Sequence, residues 1–223
     1  MNTRWIAALV TGALLVSPVV ASAQSDDTTG VEAEIAPAAE ATAMTATDFV
    51  RAKADELVGI INRTPSNDAE RAQRTTDLRT SIREFLDFGV LAERTLGPHW
   101  ETRTPEQRTE FVDALRDLVE TSYSHRLGDQ TVDQSGYTVT YTDERERNGR
   151  YRVEGTVSWG DEEHFVEMKL MMRDGQFLIY DVVTDDVSLE ESYAESFDNI
   201  ITEHGWDELL RRIRERRDEI ASE

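Results

Sequence analysis

Five carboxylates lie within fourteen positions near the end of the chain, in the stretch YDVVTDDVSLEESY at 180–193. They are Asp181, Asp185, Asp186, Glu190 and Glu191. Acids at this density could hold a divalent cation, or two of them could serve as general acid and general base. Acids are also common where a strand leads into a helix, because carboxylates favour the positive N-terminal end of a helix.

The residue pattern argues against a metal centre. The histidines stand far apart, at positions 99, 125, 164 and 204, and the sequence contains no cysteine, so the common zinc spacings do not occur. An EF-hand loop starting at Asp181 would need an acid at its third position and a glycine at its sixth, where Val183 and Asp186 stand. A calcium site of another type around Asp185 and Asp186 stays open as the less favoured interpretation, since surface acid clusters are usually solvated.

Covalent catalysis has equally little support. The stretch GTVSWG at 155–160 has the wrong spacing for a G-x-S-x-G elbow, and the sequence has no glycine-rich phosphate loop. Asp181, on an apolar strand, could act as acid or base inside a cavity, which would make the protein an isomerase or hydrolase. We favour a buried carboxylate satisfied by a backbone N–H or an arginine. The prediction is a protein that is not an enzyme and needs no cofactor.

A run of arginines interrupts the acidic chain near its C-terminus. Its members are Arg211, Arg212, Arg214, Arg216 and Arg217. Acids stand four residues from three of them, which indicates a solvated helix with internal ion pairs. The alternative is a docking face for an anionic group or partner, as an assembly factor would need.

The first residues have the features of a secretory signal peptide. A single arginine precedes an apolar run from Ile6 to Val20, and Ala21-Ser22-Ala23 gives the small-x-small pattern read by signal peptidase. We expect residues 1–23 to be removed before Gln24 and the mature protein to be soluble in the periplasm. Residues 24–46 are rich in Ala, Thr, Glu and Pro without apolar periodicity, which predicts a disordered linker.

Composition limits the partners. With 45 acids against 24 lysines and arginines, the formal net charge is −21. Loss of the signal peptide, which contains one arginine and no acid, would make the net charge more negative by one. Such a chain is repelled by nucleic acids and by anionic lipid surfaces, so an approach to a membrane needs a docking protein or a local basic patch. Without cysteines, stability must come from burial. The chain is long enough for one domain with a sizeable core or for two closely packed lobes, and we expect a monomer.

Helical periodicity dominates from about residue 47 to the glycine at 128. The clearest helix is TPEQRTEFVDALRDLVETSY at 104–123, which begins with a capping box of Thr104 and Gln107. Shorter helices precede it, and Gly97 followed by a proline ends the last of them.

Beyond Gly128 the apolar residues alternate, which indicates strands. Turn residues separate four such segments, and Asn148-Gly149 is a strong hairpin signal. The predicted strands are 137–142, 151–159, 164–172 and 176–183. Two helices follow, the first with a capping box at Ser188 and Glu191. Consecutive strands with short turns make an antiparallel meander, so the predicted class is α+β rather than a parallel βαβ sheet.

The side chains that remain as candidates for a functional site are apolar. Strands 164–172 and 176–183 carry more apolar side chains than one buried face needs, and methionines in the first of them add adaptable surface. An ordinary core explains this pattern. A cavity for a flexible apolar ligand is equally compatible with it.

The order of the segments resembles that of a known family. The segments of this chain that carry the resemblance are LDFGVLAERTLGPHW at 86–100, the helix at 104–123, the strands, FLIYDVVTDDVSLEESYAESF at 177–197 and GWDELLRRI at 205–213. Behind a signal peptide, this series is similar to the MlaC family of periplasmic phospholipid-binding proteins, over roughly residues 48–215. The family usually has Glu-Gly where this chain has Asp185-Asp186 and an arginine where Ala194 stands.

The resemblance implies a curved antiparallel sheet, similar to that of nuclear transport factor proteins, packed against a helical subdomain around a deep apolar pocket. Phospholipid acyl chains would lie in the pocket, with the head group near solvent. The protein would carry phospholipid between an outer-membrane lipoprotein–porin complex and an inner-membrane ABC transporter, which maintains outer-membrane lipid asymmetry. The expected limits are 47–215 for the phospholipid-binding domain and 216–223 for the C-terminal helix end.

Under this resemblance, the acidic corner is structural and borders the pocket, because Ser188 and Glu191 cap the following helix. Residues from both the helices and the sheet are expected to line the pocket. The candidates are Phe88, Leu91, Leu96, Trp100, Phe111, Leu115, Tyr123, Tyr141, Val157, Trp159, Val166, Met168, Leu170, Tyr180, Val182, Val187, Tyr193 and Phe197.

Overall fold

Helices make up the first part of the structure, a computed structural model that describes residues 44–128, 137–159 and 162–222. They are α1 (Ala46–Ile61), α2 (Asp68–Phe85), α3 (Phe88–Leu96), α4 (Pro98–Glu101) and α5 (Pro105–Gly128). The capping box predicted for α5 is confirmed, since the Gln107 N–H donates to Thr104 Oγ1 and the Thr104 N–H donates to Gln107 Oε1. The predicted helix end at Gly97 is also confirmed.

The strands form one antiparallel sheet in chain order. They are β1 (Tyr137–Arg147), β2 (Arg150–Trp159), β3 (Glu162–Arg173), β4 (Gln176–Thr184) and β5 (Val187–Ser188). The predicted α+β class with an antiparallel meander is therefore confirmed. β1 continues five residues beyond the predicted end at 142, because its charged second half pairs fully with β2.

Two tight turns set the register of the long strands. Asn148 and Gly149 have φ angles of 56° and 72°, and Asp174 and Gly175 have 52° and 79°. Two consecutive residues with positive φ are typical of the type I′ turn, whose twist matches that of the strands it connects. The predicted hairpin at Asn148-Gly149 is confirmed.

Two bulges interrupt the otherwise regular ladders. Thr142 is the extra residue between β1 and β2, and Tyr180 is the extra residue between β4 and β3. A bulge bends its strand and increases the local twist. Both bulges lie in mid-strand, where they bend the sheet around its helices.

Two helices complete the chain, α6 (Leu189–His204) and α7 (Trp206–Ser222). Gly205, with a φ of 89°, separates them as predicted. α5 packs against α2, α3 and α7, while α1, α2, α3 and α6 contact the sheet. α7 runs through the predicted boundary at 215, and Ile220 near its end is buried in the main core.

The sheet has two chemically different faces. The inner face, which we define by Val153, Val157, Val166, Leu170 and Ile179, is buried towards the helices. The outer face, which we define by Arg145, Arg147, Arg150, Arg152 and Lys169, carries the alternate side chains of β1, β2 and β3. The alternation predicted from the sequence thus separates the apolar core side from a charged side.

Candidate functional site

Three cross-strand rows cover the middle of the inner face. They are Tyr151–Leu170–Ile179, Val153–Met168–Val182 and Tyr141–Gly155–Val166–Thr184. Helices fill the end of this face nearest the β1–β2 turn, where the Phe177 ring lies 5.8 Å from the ring of Phe49 and 4.9 Å from that of Tyr151. This end of the sheet is packed core.

The other end of the inner face is packed differently. Val157 and Val166 are buried, but neither belongs to the hydrophobic clusters of the described residues. Met168 and Val182, in the row between the two ends, touch the main cluster yet stay only partly buried. Met168 lies on a central strand and keeps accessible surface on the helix side, so the helices cover this part of the inner face incompletely. We call the part around Met168, Val182, Val157 and Val166 the concave region.

Aromatic residues of α5 and α6 pack against one another. The Phe111 ring meets the Phe197 ring edge-on at 5.6 Å, and Tyr193 stacks on Phe197 at 5.3 Å. Beside them lies a cavity of about 150 Å³ between α5, α6 and α7, where Leu118 and Ile213 are among the lining residues. This volume is small compared with the 300–1,000 Å³ or so of ordinary ligand pockets.

Two tyrosines on the helices occupy strongly desolvated positions. Burial raises the pKa of Tyr193 to about 12. Burial also raises the pKa of Tyr123 above its ordinary value; the negative charge of Asp181 adds to that shift, and Arg126 opposes it. Both phenols are therefore neutral at physiological pH.

Asp181 is a structural carboxylate. It is fully buried, and its Oδ2 atom accepts hydrogen bonds from Lys169 Nζ and Ser188 Oγ, each at 2.8 Å. Its Oδ1 atom accepts the Glu190 N–H at 2.9 Å, in the first turn of α6. With these three donors around it, Asp181 has the structural role that we favoured over an acid or base.

Of the capping box predicted for α6, the structure forms the bond to Ser188, which contributes to the same corner. Ser188 Oγ, while donating to Asp181, accepts the Glu191 N–H at 3.1 Å. The pKa of Lys169 is raised: burial opposes the shift, but the hydrogen bond and the negative charge of Asp181 outweigh it. The corner therefore ties β3, β4 and α6 together through one carboxylate.

The two neighbouring aspartates form the β4–β5 turn. Asp185 and Asp186 have φ angles of 47° and 66°, a conformation that glycine adopts more easily. Asp185 Oδ2 lies 2.7 Å from His164 Nδ1, and Asp185 Oδ1 accepts the Phe165 N–H at 3.0 Å. Within the part of the chain that the structure describes, no group of His, Cys, Asp or Glu is arranged to hold a metal ion.

The arginine run lies on α7 and is largely self-paired. Arg211 contacts Glu208 and Glu215, while Arg212 also reaches Glu208 at 2.8 Å. Arg214 pairs with Glu110 of α5 at 2.5 Å instead of the acid four residues on, so that one predicted pair is replaced by a contact between helices. These contacts favour the solvated-helix interpretation.

The structure brings most of the candidate pocket residues together. Thirteen belong to or pack against the main hydrophobic cluster: Phe88, Leu91, Leu96, Trp100, Phe111, Leu115, Tyr123, Tyr141, Met168, Leu170, Val182, Tyr193 and Phe197. Val157 and Val166 are buried on the inner face outside that cluster. Val187 is 47% exposed on β5, and Tyr180 is buried beneath the guanidinium of Arg94. The side chain of Trp159 lies outside the described residues.

Sequence reasoning missed two groups of residues. Val153 and Ile179 belong to the inner-face rows, and the alternation that selected Val157 also marks Val153. The basic outer face was missed as well, although the arginines of RERNGRYR at 145–152 are arranged symmetrically about the Asn-Gly turn. In a two-residue hairpin this symmetry places them on one face.

Comparison with known proteins identifies the family. The sequence model of the MlaC protein family matches residues 51–215. The chain belongs to the MlaC family. A comparison with curated proteins gives no match.

Solved structures agree with the MlaC assignment at the level of the fold. A structure of the phospholipid-binding protein from Ralstonia solanacearum in complex with a phospholipid aligns with a TM-score of 0.65 at 21% identity, covering 77% of this chain and 96% of that one. The two proteins therefore share a fold. In the described part of this MlaC chain, the helices are too short or too polar to cross a membrane.

Proposed function

We propose that this protein is a phospholipid carrier that holds acyl chains between the inner face of the sheet and the helices. Membership of the MlaC family and the shared fold with a phospholipid-binding protein support binding rather than catalysis. The head group would stay near solvent. The lining would combine the candidate residues of both layers other than Tyr180, with Met168, Val182, Val157 and Val166 on the sheet side.

The observation that carries the proposal is the uneven packing of the inner face. Helices fill one end of it, whereas Met168 and Val182 keep accessible surface and Val157 and Val166 lie outside the helix-packed clusters of the described chain. An apolar surface of this kind, within a protein that is otherwise densely charged, suits a flexible hydrocarbon chain better than a polar metabolite. Met168 can adjust to acyl chains of different shape.

The energetics explain why such a carrier needs no catalytic group. Burial of each methylene of an acyl chain is worth about 0.8 kcal/mol, so two tails leave a bilayer for water extremely slowly. A pocket that offers equivalent burial removes most of that penalty. The carrier itself must remain dissolved, which the acidic surface favours.

The site of action follows from the same reasoning. We infer a periplasmic protein, exported by the N-terminal signal peptide, that acts as a monomer. It would exchange phospholipid with an outer-membrane lipoprotein–porin complex and an inner-membrane ABC transporter, and so maintain outer-membrane lipid asymmetry. Family membership supports this cycle.

Native mass spectrometry of protein purified without detergent tests the proposal. We expect a species heavier than the bare chain by one phospholipid, identified by its fragments. Val166→Trp should fill the concave region and reduce the lipid-bound fraction at least about tenfold, because a bulky ring would occupy space needed by the tails. Met172→Trp is the matched control, since Met172 is 46% exposed at the end of β3.

Two results would contradict the proposal. One is a wild-type spectrum that contains only the bare chain. The other is a folded Val166→Trp variant with as much bound lipid as the wild type. If Val166→Trp does not fold, Val157→Trp supplies the same test from the neighbouring strand, with circular dichroism as the measure of folding.

A further inference from the structure

The outer face of the sheet concentrates positive charge. Arg145 on β1 is directly opposite Arg152 on β2, which is opposite Lys169 on β3. Arg147 and Arg150 form a second cross-strand pair two residues nearer the hairpin turn, on the same face. Neighbouring strands lie about 4.8 Å apart, so five cations share a patch only about 10 Å across.

These cations surround a concavity. Its volume is about 590 Å³, and its lining contains all five cations together with Asn148, Tyr151 and Tyr180. The whole chain carries a formal charge of −21, so a concave basic patch stands out strongly. Like charges directly opposite each other destabilise a sheet, which makes the arrangement unfavourable for folding alone.

Internal acids neutralise only part of this charge. Arg145 pairs with Asp143, Arg152 with Glu167 at 3.2 Å, and Lys169 with Asp181 at 2.8 Å. Each of these three cations therefore has its own carboxylate.

Arg147 and Arg150 differ from the other three. Among the described residues, neither makes an ion pair or a side-chain hydrogen bond, and both are exposed. Two of the five cations that line the concavity therefore have no carboxylate partner within the described part of the chain. Two such arginines side by side could together bind one phosphate dianion.

Tyr180 adds a hydrogen-bonding group to the rim. Its side chain is 7% exposed, and its ring is held under the Arg94 guanidinium, which lies 5.1 Å from the ring centroid. Within the described part of the chain its hydroxyl has no hydrogen-bond partner. The bulge at Tyr180 removes this residue from the regular ladder and turns it towards the concavity that it lines.

We propose that this concavity binds a phosphate group, with Arg147 and Arg150 as its principal ligands and Tyr180 as a further donor. Arginine is suited to this task because its planar fork gives two parallel hydrogen bonds to phosphate oxygens. The site lies on the sheet face opposite the apolar concave region. Phosphate binding at this site therefore does not depend on the proposed binding of acyl chains. The phosphate group could belong to an anionic lipid head group or to a small soluble phosphate compound.

Titration with inorganic phosphate, followed by NMR of the backbone amides and arginine side chains, tests the site. Sodium chloride keeps the ionic strength constant, so that general screening is not mistaken for binding. We expect saturable shifts at Arg147, Arg150 and their neighbours. The double variant Arg147→Gln with Arg150→Gln should weaken binding at least about tenfold, because each charge-assisted contact contributes substantially to affinity.

A matched control and a second variant make the test decisive. Arg211→Gln with Arg214→Gln removes the same charge from α7 and should leave phosphate binding unchanged. Tyr180→Phe keeps the buried ring and removes only the hydroxyl, so it should weaken binding a few-fold in a protein that still folds. The proposal is wrong if the wild-type signals do not move, or if the double variant binds like the wild type. It is equally wrong if the hairpin variant fails to fold and Tyr180→Phe binds normally.

Vesicle flotation separates the two sources of phosphate. Protein is mixed with phosphatidylcholine vesicles that contain phosphatidylglycerol or lack it. Flotation with the anionic vesicles that the hairpin variant loses would identify a lipid head group as the source. Saturable phosphate binding without flotation would identify a soluble phosphate compound, and both results uphold the site.

Discussion

Asp181 shows how one buried carboxylate can define a corner of the fold. Lys169 Nζ approaches it from β3, Ser188 Oγ from β5 and the Glu190 N–H from α6, all within 2.9 Å. The negative charge also lies at the positive end of the α6 helix dipole. Each interaction compensates part of the desolvation of the carboxylate, so the corner is stable only while all partners are present.

Replacing Asp181 by Asn should therefore destabilise the protein. The amide cannot match the charge of Lys169, and one of its polar atoms becomes a donor facing other donors, so we expect a loss of about 3 kcal/mol in the free energy of unfolding. Urea denaturation measures the loss. Asp186→Asn is the control, because Asp186 is exposed at φ 66°, where Asn is well tolerated. A loss below about 1 kcal/mol for Asp181→Asn would contradict this account.

The raised pKa of Tyr193 predicts how the free energy of unfolding changes at alkaline pH. Its pKa is about 12 in the folded protein against 10.0 ordinarily, because burial disfavours the phenolate. Between these values the unfolded chain loses the proton and the folded protein keeps it, so stability falls as the pH rises, by about 1.4 kcal/mol per pH unit. Tyr193→Phe should remove this contribution. Urea denaturation at several alkaline pH values checks it, and an unchanged slope in the variant would show the prediction to be wrong.

At the scale of elements, the pairing of β1 with β2 depends on one glycine. Gly155 lies next to the Thr142 bulge, where β1 comes so close that a Cβ atom on Gly155 would stand 2.9 Å from the Thr140 carbonyl oxygen. A side chain here would push the two strands apart. Gly155 also lies between Tyr141 and Val166 in one of the inner-face rows.

Gly155→Ala should lower the free energy of unfolding by about 2 kcal/mol, since the clash is with backbone that cannot rotate away. Gly59→Ala gives the opposite expectation. Gly59 is exposed inside α1 with no atom within 4 Å of an added Cβ, so alanine should stabilise by about 0.5–1 kcal/mol through helix propensity. Urea denaturation of both variants tests the pair. Equal changes in the free energy of unfolding of the two variants would contradict the close approach of β1 to Gly155 at the bulge.

The sequence predicted the elements better than their cross-strand contacts. Periodicity, the Asn148-Gly149 turn, the capping box of α5 and the Ser188 N-cap of α6 are local signals, and the structure confirms them. The partner of Asp181 could not be predicted, because the bulge at Tyr180 shifts the β3–β4 register that sets Lys169 opposite it. The second half of β1 was missed because an exposed edge strand can be entirely charged.

The whole molecule combines a strongly acidic exterior with an apolar interior. Partly buried ion pairs, such as Arg94–Glu190 at 2.5 Å and Arg83–Glu120 at 2.6 Å, use some of the limited positive charge to hold helices together. The remaining excess of acids disfavours contact with anionic membranes. A carrier of this composition would depend on local features, the concave inner face and the basic outer face, for its contacts with lipid.

Removal of bound lipid should lower the thermal stability of the whole protein. A ligand that binds only the folded state stabilises it by about 2.7 kcal/mol when its free concentration is about 100 times Kd. For a chain of this size, each kcal/mol moves the unfolding midpoint by about 2–4 °C, so delipidated protein should unfold about 5–10 °C lower. Differential scanning calorimetry before and after organic extraction and refolding measures the shift, and added phospholipid should restore it. Val166→Trp should show no such shift, because its concave region is already filled. If the thermal unfolding midpoint of the wild type is the same with and without phospholipid, acyl chains are not bound inside the fold.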